Sequence, residues 1–557
     1  MFKQFVALLF LSVLLAGCNQ RETSGENPHS SLPSLYISIP QNQYDSILLD
    51  SDYKASSEAV VIAEDGDTLY FGSLKHIKTR GNSTFTQGKK PYSIKFPKAQ
   101  KLFNLHKSKS FVLLANWYDE SHMRNAIGLD ISEGIGLQTP RYVHVSLYIN
   151  DEYKGSYLLT NKVEINKHTL NIADLEKQNK LLNPLPLHEY AWEAHGTRKH
   201  IDQRKGYLLE KSPDDISGGY LLEIAGWKER YDRKDCGFQA NSGDLINIRE
   251  PKYASHPEVE YIANYYNAME QALFDSTGYN PLTKRHYSEY LDIHSFALSY
   301  IVNELLMNLD AGITSFYMYK DVDDKIYAGP SWDFDRTLDD NFWGGKYNST
   351  NQIWAGSETG DMGFKSSGGI FYQLLKHEDF RLAVCEEWNN NASLVCHEFL
   401  NNRTWDSLAS YISNDVERDN LINRTRQSAD YLAAVDKPLY FLRERVAFLD
   451  WFWNVDETEI ICVSNCIADG SYGAHDRLLH FYYKVGEPII YPLIIPHEGE
   501  VYNHDPIQTF YIAGKDSIVP NGSILDYPAQ LEMRWREPSW KEVQLRRIKK
   551  KLHKIFW

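Results

Sequence analysis

Apolar and polar positions alternate along the chain in stretches of different period. From residue 34 to about 165 the period is mostly two. "YISI", "HIKTRGNS", "YSIKF" and "FVLLANW" read as strands, and "YVHVSLYINDEYKGSYLLTNKVEI" as two strands turning at Asn150-Asp151. One helical run, "ESHMRNAIGLDISEGIG", interrupts them and stops near Gly134 and Gly136. Residues 174–217 are charged, lack a clear period and read as an insertion, after which "GGYLLEIAG" returns to strand. Between 256 and 309 the period is helical. In the last of these helices Ile293, Phe296, Tyr300, Ile301 and Leu305 share one face behind an Asp292 N-cap. "SFYMYKDVDDKIYAG" reads as a hairpin turning at Asp323-Asp324. Residues 367–455 are helical again. From 456 short strands ("IICV", "LLHFYYKV", "PIIYPLII", "TFYIAG") predict a small all-β C-terminal domain over 456–557. The whole pattern predicts an α+β protein whose main domain spans 34–455.

The N-terminus does not fit this scheme. "FVALLFLSVLLAG" is apolar but too short to span a bilayer comfortably, and it ends in Leu15-Ala16-Gly17-Cys18, the form of a bacterial lipobox. The expectation is a signal peptide over 1–18, a lipidated Cys18 as the first mature residue, and a polar tether over 19–33. The protein would then be an exported bacterial lipoprotein held at the outer membrane or cell surface by lipid alone. Export permits disulfides, so Cys385 with Cys396 and Cys462 with Cys466 are candidate pairs, leaving Cys236 over. Of 557 residues 43% are hydrophobic, enough for large cores, and the net charge of −15 argues against a nucleic-acid partner bound through its phosphates.

Candidate chemistry gathers at "SWDFDRTLDD" (331–340), which holds Asp333, Asp335, Asp339 and Asp340. A calcium loop starting at Asp333 would need Gly sixth and Glu twelfth, where Leu338 and Gly344 stand, so that reading fails. The order around the segment is more telling. Asp310 lies just past a long helix, a hairpin carries the chain out and back, and Asp333 follows. Protein kinases place a proton-accepting Asp and a metal-binding Asp in the same order, because phosphate charge needs a metal and the metal needs hard oxygen ligands. If "SWDFD" is extended, Trp332 and Phe334 anchor one face and Asp333 and Asp335 share the other.

Six blocks carry a resemblance: "KTRGNSTFTQGKKPYSIKF", "FVLLANWYDESHMRNAIG", "VSLYINDEYKGSYLLTNKVEI", "GGYLLEI", "NELLMNLDAGITSFYMYKD" and "AGPSWDFD". In this order the chain resembles the spore-coat protein H (CotH) kinase family of atypical secreted or surface protein kinases. The resemblance implies an atypical kinase-like fold that uses ATP with Mg²⁺ or Mn²⁺ and passes phosphate to Ser or Thr of an extracytoplasmic protein. It places Asp310 where the family has its catalytic Asp and Asp333 where it has its metal-binding Asp. Arg80, Lys90, Lys95, Arg124 and Lys162 are the basic candidates for the nucleotide phosphates, because no Gly-rich phosphate loop is visible. Two positions depart from the pattern. Ser315 stands where a kinase loop has the Asn of a second metal, so that Asp335 would substitute. Asn161 precedes Lys162 where the family often has Glu, leaving Glu164 to supply a carboxylate.

An alternative remains open: a surface scaffold or a glycan- or protein-binding module on a degenerate kinase fold, for which 37 Tyr and 13 Trp supply aromatic platforms. The closing "QLRRIKKKLHKIFW" is a basic helix that faces either anionic lipid or the β-rich domain.

Overall fold

The computed structural model describes residues 32–536 except 196–202, 227, 309, 313, 340–348, 354, 356–368, 403, 424–430, 456–458, 470–474 and 490–506. Cys18, nearly all of the tether and the basic C-terminal tail lie outside the described residues.

Seven strands form a closed barrel: β1 (Ser34–Ser38), β2 (Ala55–Ile62), β3 (Thr68–Thr79), β4 (Tyr92–Gln100), β5 (Ser108–Leu114), β6 (Tyr142–Ile149) and β7 (Glu152–Asn161). Their order is β1-β2-β3-β4-β5-β7-β6, and β1 closes the ring by pairing parallel with β6. The period-two pattern sends Ile37, Val61, Ile77, Ile94, Phe111 and Leu147 inward, each buried. Asn150 and Asp151 turn β6 into β7 with φ of +52° and +63°, the left-handed pair that a two-residue hairpin demands. The helix Arg124–Gly134 interrupts the barrel strands as its pattern predicted.

A second sheet follows: β8 (Trp192–His195), β9 (Arg204–Tyr207), β10 (Tyr220–Ile224), β11 (Gly237–Gln239), β12 (Leu245–Glu250), β13 (Tyr317–Lys320) and β14 (Ile326–Ala328), in the order β14-β13-β10-β12-β11-β9-β8. The charged stretch 174–217 is therefore more ordered than its pattern suggests. It holds a helix, Leu175–Leu182, capped by the Asp174 carboxylate on the Lys177 N–H at 2.8 Å, and the two strands at the sheet edge. Short edge strands bury little, so their hydrophobic alternation is weak. The Ile293–Leu305 helix begins at Asp292, whose Oδ1 accepts the Ser295 N–H at 2.8 Å, and packs on β14.

Helices Gly369–Leu374, Glu378–Glu387, Ser393–Asn401, Thr404–Asn423 and Tyr431–Phe452 follow. The Thr404–Asn423 helix is clamped to the barrel by Lys89. Its ammonium donates to Ala115 O at 2.8 Å, to Ser156 O and to the Asp419 carboxylate, and lysine and aspartate are both buried. A third sheet of six strands contains Gln352–Ile353 together with Ile460–Asp469, His475–Lys484 and Ala529–Arg536. Its Ile461, Phe481, Phe510 and Leu531 join the same core as the helices.

The disulfide expectation is corrected. Among the described residues Cys385 and Cys396 are free thiols. They sit on one helical run, 378–401, continued through a π-helical turn at Trp388–Ala392, so their eleven-residue spacing puts them ~16 Å apart. Cys462 and Cys466 share the strand Ile460–Asp469, which holds residues four apart at ~13 Å, too far to bridge. Burial pushes the Cys396 thiol up to about 12, so it behaves as a small apolar group. Among the described residues no helix is long and apolar enough to cross a membrane.

Candidate functional site

The site grows from the end of the Ile293–Leu305 helix. Asn303 accepts from the Asn308 side chain at 2.9 Å, and Asn308 Oδ1 accepts the Asp310 N–H at 3.0 Å. This amide chain fastens the loop carrying Asp310 to the helix. The β13–β14 hairpin then leads into Ser331–Asp335. Ser331 N–H donates to Gln138 O at 2.8 Å, and Phe334 N–H donates to Asn125 Oδ1 at 2.9 Å. Trp332 and Phe334 are buried while Asp333 and Asp335 are half-buried, the alternation that the pattern predicted.

The backbone is not an extended strand, however. Asp333 has φ of +71°, a left-handed conformation that aspartate adopts more readily than most side chains. The surroundings hold it there: Asn125 fixes the next peptide, and the Phe334 ring lies against Gly128, where a Cβ would come within 2.8 Å of Phe334 Cβ and closer still to the ring.

Asp310, Ser315, Trp332 and Phe334 line one cleft. Ser315 reaches from its wall and donates its hydroxyl to Asp333 Oδ2 at 2.7 Å. The serine five residues after Asp310 thus joins the two aspartate segments. Asp310 and Ser315 line this cleft and Asp333 stands between two of its lining residues; carboxylate and hydroxyl oxygens are the ligand type that Mg²⁺ or Mn²⁺ takes.

Positive charge borders Asp333. The Arg80 guanidinium sits 5.5 Å from the Trp332 ring centroid; burial lowers its pKa from the ordinary value, and Asp333 opposes that shift. Arg249 Nη1 lies 3.0 Å and Arg230 Nη2 3.8 Å from the buried Glu223 carboxylate. Burial works against the charge of Arg249, but Glu223, Tyr317 and Glu250 outweigh it and hold its pKa above the usual range. Lys234 feels the same field. Arg249, more than burial, brings its ammonium down to about 8.

The other predicted basic residues are held elsewhere. Lys90 donates to Phe85 O at 2.6 Å and lies over the Phe85 ring. Arg124 is buried and donates to Tyr118 O at 3.2 Å, at the start of a helix whose first N–H is accepted by Asp119. Lys162 pairs with Glu164 at 3.2 Å and lies 3.9 Å from Glu250, so Glu164 supplies the carboxylate that Asn161 does not. Asn161 instead holds the His106 backbone from both sides, at 2.9 and 2.8 Å. Burial lowers the Lys95 pKa, with Glu164 opposing. Of the five basic candidates Arg80 is the one whose charge is influenced by Asp333. Sequence reasoning passed over Arg230, Glu223, Arg249, Asn125 and Gly128. The blocks "GGYLLEI" and "MRNAIG" contain three of them, and a charged Glu223 inside an apolar strand was the available signal.

An aspartate just past a helix and a hairpin returning to a second aspartate near Arg80 follow the part order that protein kinases use. Residues 77–449 match the family model described as CotH kinase protein, and the chain belongs to that family. No curated protein matches it.

Proposed function

We propose that the protein is a Mg²⁺- or Mn²⁺-dependent kinase that moves the γ-phosphoryl group of ATP onto a Ser or Thr hydroxyl of an extracytoplasmic protein. The observation that carries this reading is the hydrogen bond to Asp333 from Ser315, which lines one cleft with Asp310. In this reading Asp333, with Asp335, holds the metal ion, which would neutralise phosphate charge when bound. Arg80, whose charge feels both Asp333 and Arg249, is the candidate cation to receive the phosphates. Asp310 accepts the proton of the acceptor hydroxyl. As that proton leaves, the hydroxyl oxygen bonds the γ-phosphorus, the bond to the β–γ bridging oxygen breaks, and ADP departs. Ser315 does not take the place of a metal-binding Asn; it orients Asp333. The reading also takes Cys18 as a lipid anchor, so the work is done at the membrane surface, and residues 456–557 as a β-rich accessory domain.

Calorimetry with ATP and Mg²⁺ tests the site. Wild type should bind, Asp333→Asn should lose the metal-dependent part, and Arg80→Ala should weaken binding with either metal. Equal binding by wild type and Asp333→Asn would remove Asp333 from the site. No nucleotide binding by wild type would favour the scaffold role.

A further inference from the structure

A second set of metal-ligating side chains lies away from this cleft, at the edge of the second sheet. Glu193 and His195 are two apart on β8 and so share a face. His256 opens the His256–Phe274 helix, directly after the Ser255 N-cap, whose capping box with Glu258 makes that helix start rigid. His195 Nε2 lies 2.6 Å and His256 Nε2 3.6 Å from Glu193 Oε1, and one ligating atom from each of the three residues falls within 4.8 Å of the other two. His256 Nε2 is buried and makes no hydrogen bond, although its neighbour is a carboxylate. The two imidazoles stand 4.5 Å apart, centroid to centroid.

We propose that Glu193, His195 and His256 form a zinc site that ties the edge strand β8 to the start of the His256–Phe274 helix. A tetrahedral ion with bonds of about 2.1 Å spaces its ligands by about 3.4 Å, which these atoms reach by small side-chain rotations. Two imidazoles and one carboxylate suit zinc and its neighbours in the transition series, whereas Mg²⁺ prefers an all-oxygen octahedron. Three protein ligands leave the fourth position to water on the exposed His195 side. The staple has mechanical sense. Among the described residues β8 is the last strand of its sheet and pairs only with β9, while β9 is already fixed to the same helix by Arg204, which pairs with Glu260 and donates to Asn264 Oδ1 at 2.8 Å. A metal at His256 would fasten the outer strand as Arg204 fastens the inner one.

The site shares no residue with the proposed nucleotide cleft, so each is tested without the other. The test uses the full chain stripped with chelator and titrated with Zn²⁺ by calorimetry and with Co²⁺ by visible absorption. Wild type should bind one equivalent at this site, and bound Co²⁺ should show tetrahedral d–d bands without a thiolate charge-transfer band. Glu193→Gln, His195→Ala and His256→Ala should each lose more than about tenfold in affinity, since loss of even an outer-shell partner costs about 10–100-fold. Amide exchange over 192–195 should slow with Zn²⁺ in wild type and not in His256→Ala. Circular dichroism and unchanged ATP–Mg²⁺ binding verify that the variants fold. Wild type without Zn²⁺ binding, or His195→Ala/His256→Ala double-variant protein binding Zn²⁺ as wild type does, would overturn the proposal.

Discussion

Substituting Gly128 tests how the Asp333 segment is held. A Cβ at this position would sit 2.8 Å from Phe334 Cβ and nearer still to its ring carbons. Comfortable carbon contacts lie at about 3.5–4.0 Å, so ring or helix must yield by ~1 Å or more. Two opposing effects bear on stability. Alanine is the better helix former by about 1 kcal/mol, whereas overpacking a full core costs about 1–3 kcal/mol. Gly128→Ala should therefore fold, with a net loss of at most ~2 kcal/mol in urea or thermal melts. Its functional effect should be far larger. Phe334 donates its N–H to Asn125 and is bonded to Asp333, so displacing the ring moves the metal-binding carboxylate. Misplacing a reacting group by ~1 Å can cost about 10²-fold. Phosphate transfer and ATP–Mg²⁺ affinity should fall steeply while the melt barely moves. Pairing Gly128→Ala with Phe334→Ala supplies the control, because with no ring left to displace the two substitutions should cost less together than their sum, by about 1 kcal/mol or more. Near-wild-type metal–nucleotide binding in Gly128→Ala, or strict additivity in the cycle, would refute the view that Phe334 aims Asp333.

Two further outcomes concern stability. Arg445 and Glu304 are fully buried and 2.8 Å apart, and Arg445 also donates to Thr350 O, Gln352 O and Glu304 O, each at 2.7 Å; Arg445→Ala should cost about 3–5 kcal/mol in denaturant melts by leaving Glu304 uncompensated, and a loss below 1 kcal/mol would contradict this. Burial raises the Glu270 pKa from 4.5 to about 7, against hydrogen bonds from Ser242. The folded state therefore holds this proton more tightly than the unfolded state. The resulting stability is complete below about pH 4.5 and lost as pH rises through about 7, an upper limit of ~3 kcal/mol. Glu270→Gln should flatten the stability profile between pH 5 and 8, and an unchanged slope would sink that assignment.

Most of the barrel's strands, though not β2 or the closure, were readable because they have one buried and one polar face, so that Ile94, Lys95 and Phe96 alternate in the structure as in the sequence. The β6–β7 turn was readable because Asn150-Asp151 tolerates left-handed backbone. Alternation at 331–335 survived, but the φ of Asp333 did not follow from it, because Asn125 and Gly128, some 200 residues earlier, impose it. The arginines around Glu223 were illegible for a related reason: Arg80, Arg230 and Arg249 come from β3–β4, a short helix and β12, and only the packing of barrel against sheet gathers their charges. Basic residues in the recognised blocks were over-read, since Lys90 and Arg124 satisfy local carbonyls. Cysteine spacing misled because it says nothing of the stiff helix or strand between the two thiols.

The central claim, that the cleft transfers phosphate from ATP with Asp310 as the proton acceptor, is tested most directly with radiolabelled ATP. Wild type and Asp310→Asn are incubated with Mg²⁺ or Mn²⁺ and scored on autophosphorylation and on a Ser/Thr-rich acceptor, with ATP binding measured in parallel. Asparagine keeps the shape of the side chain but accepts no proton. The account predicts label incorporation by wild type, a loss of about 10²–10⁴-fold in Asp310→Asn, and retained ATP binding in the variant. Equal transfer by both proteins, or wild type that binds no ATP and transfers no label with either metal, would contradict it.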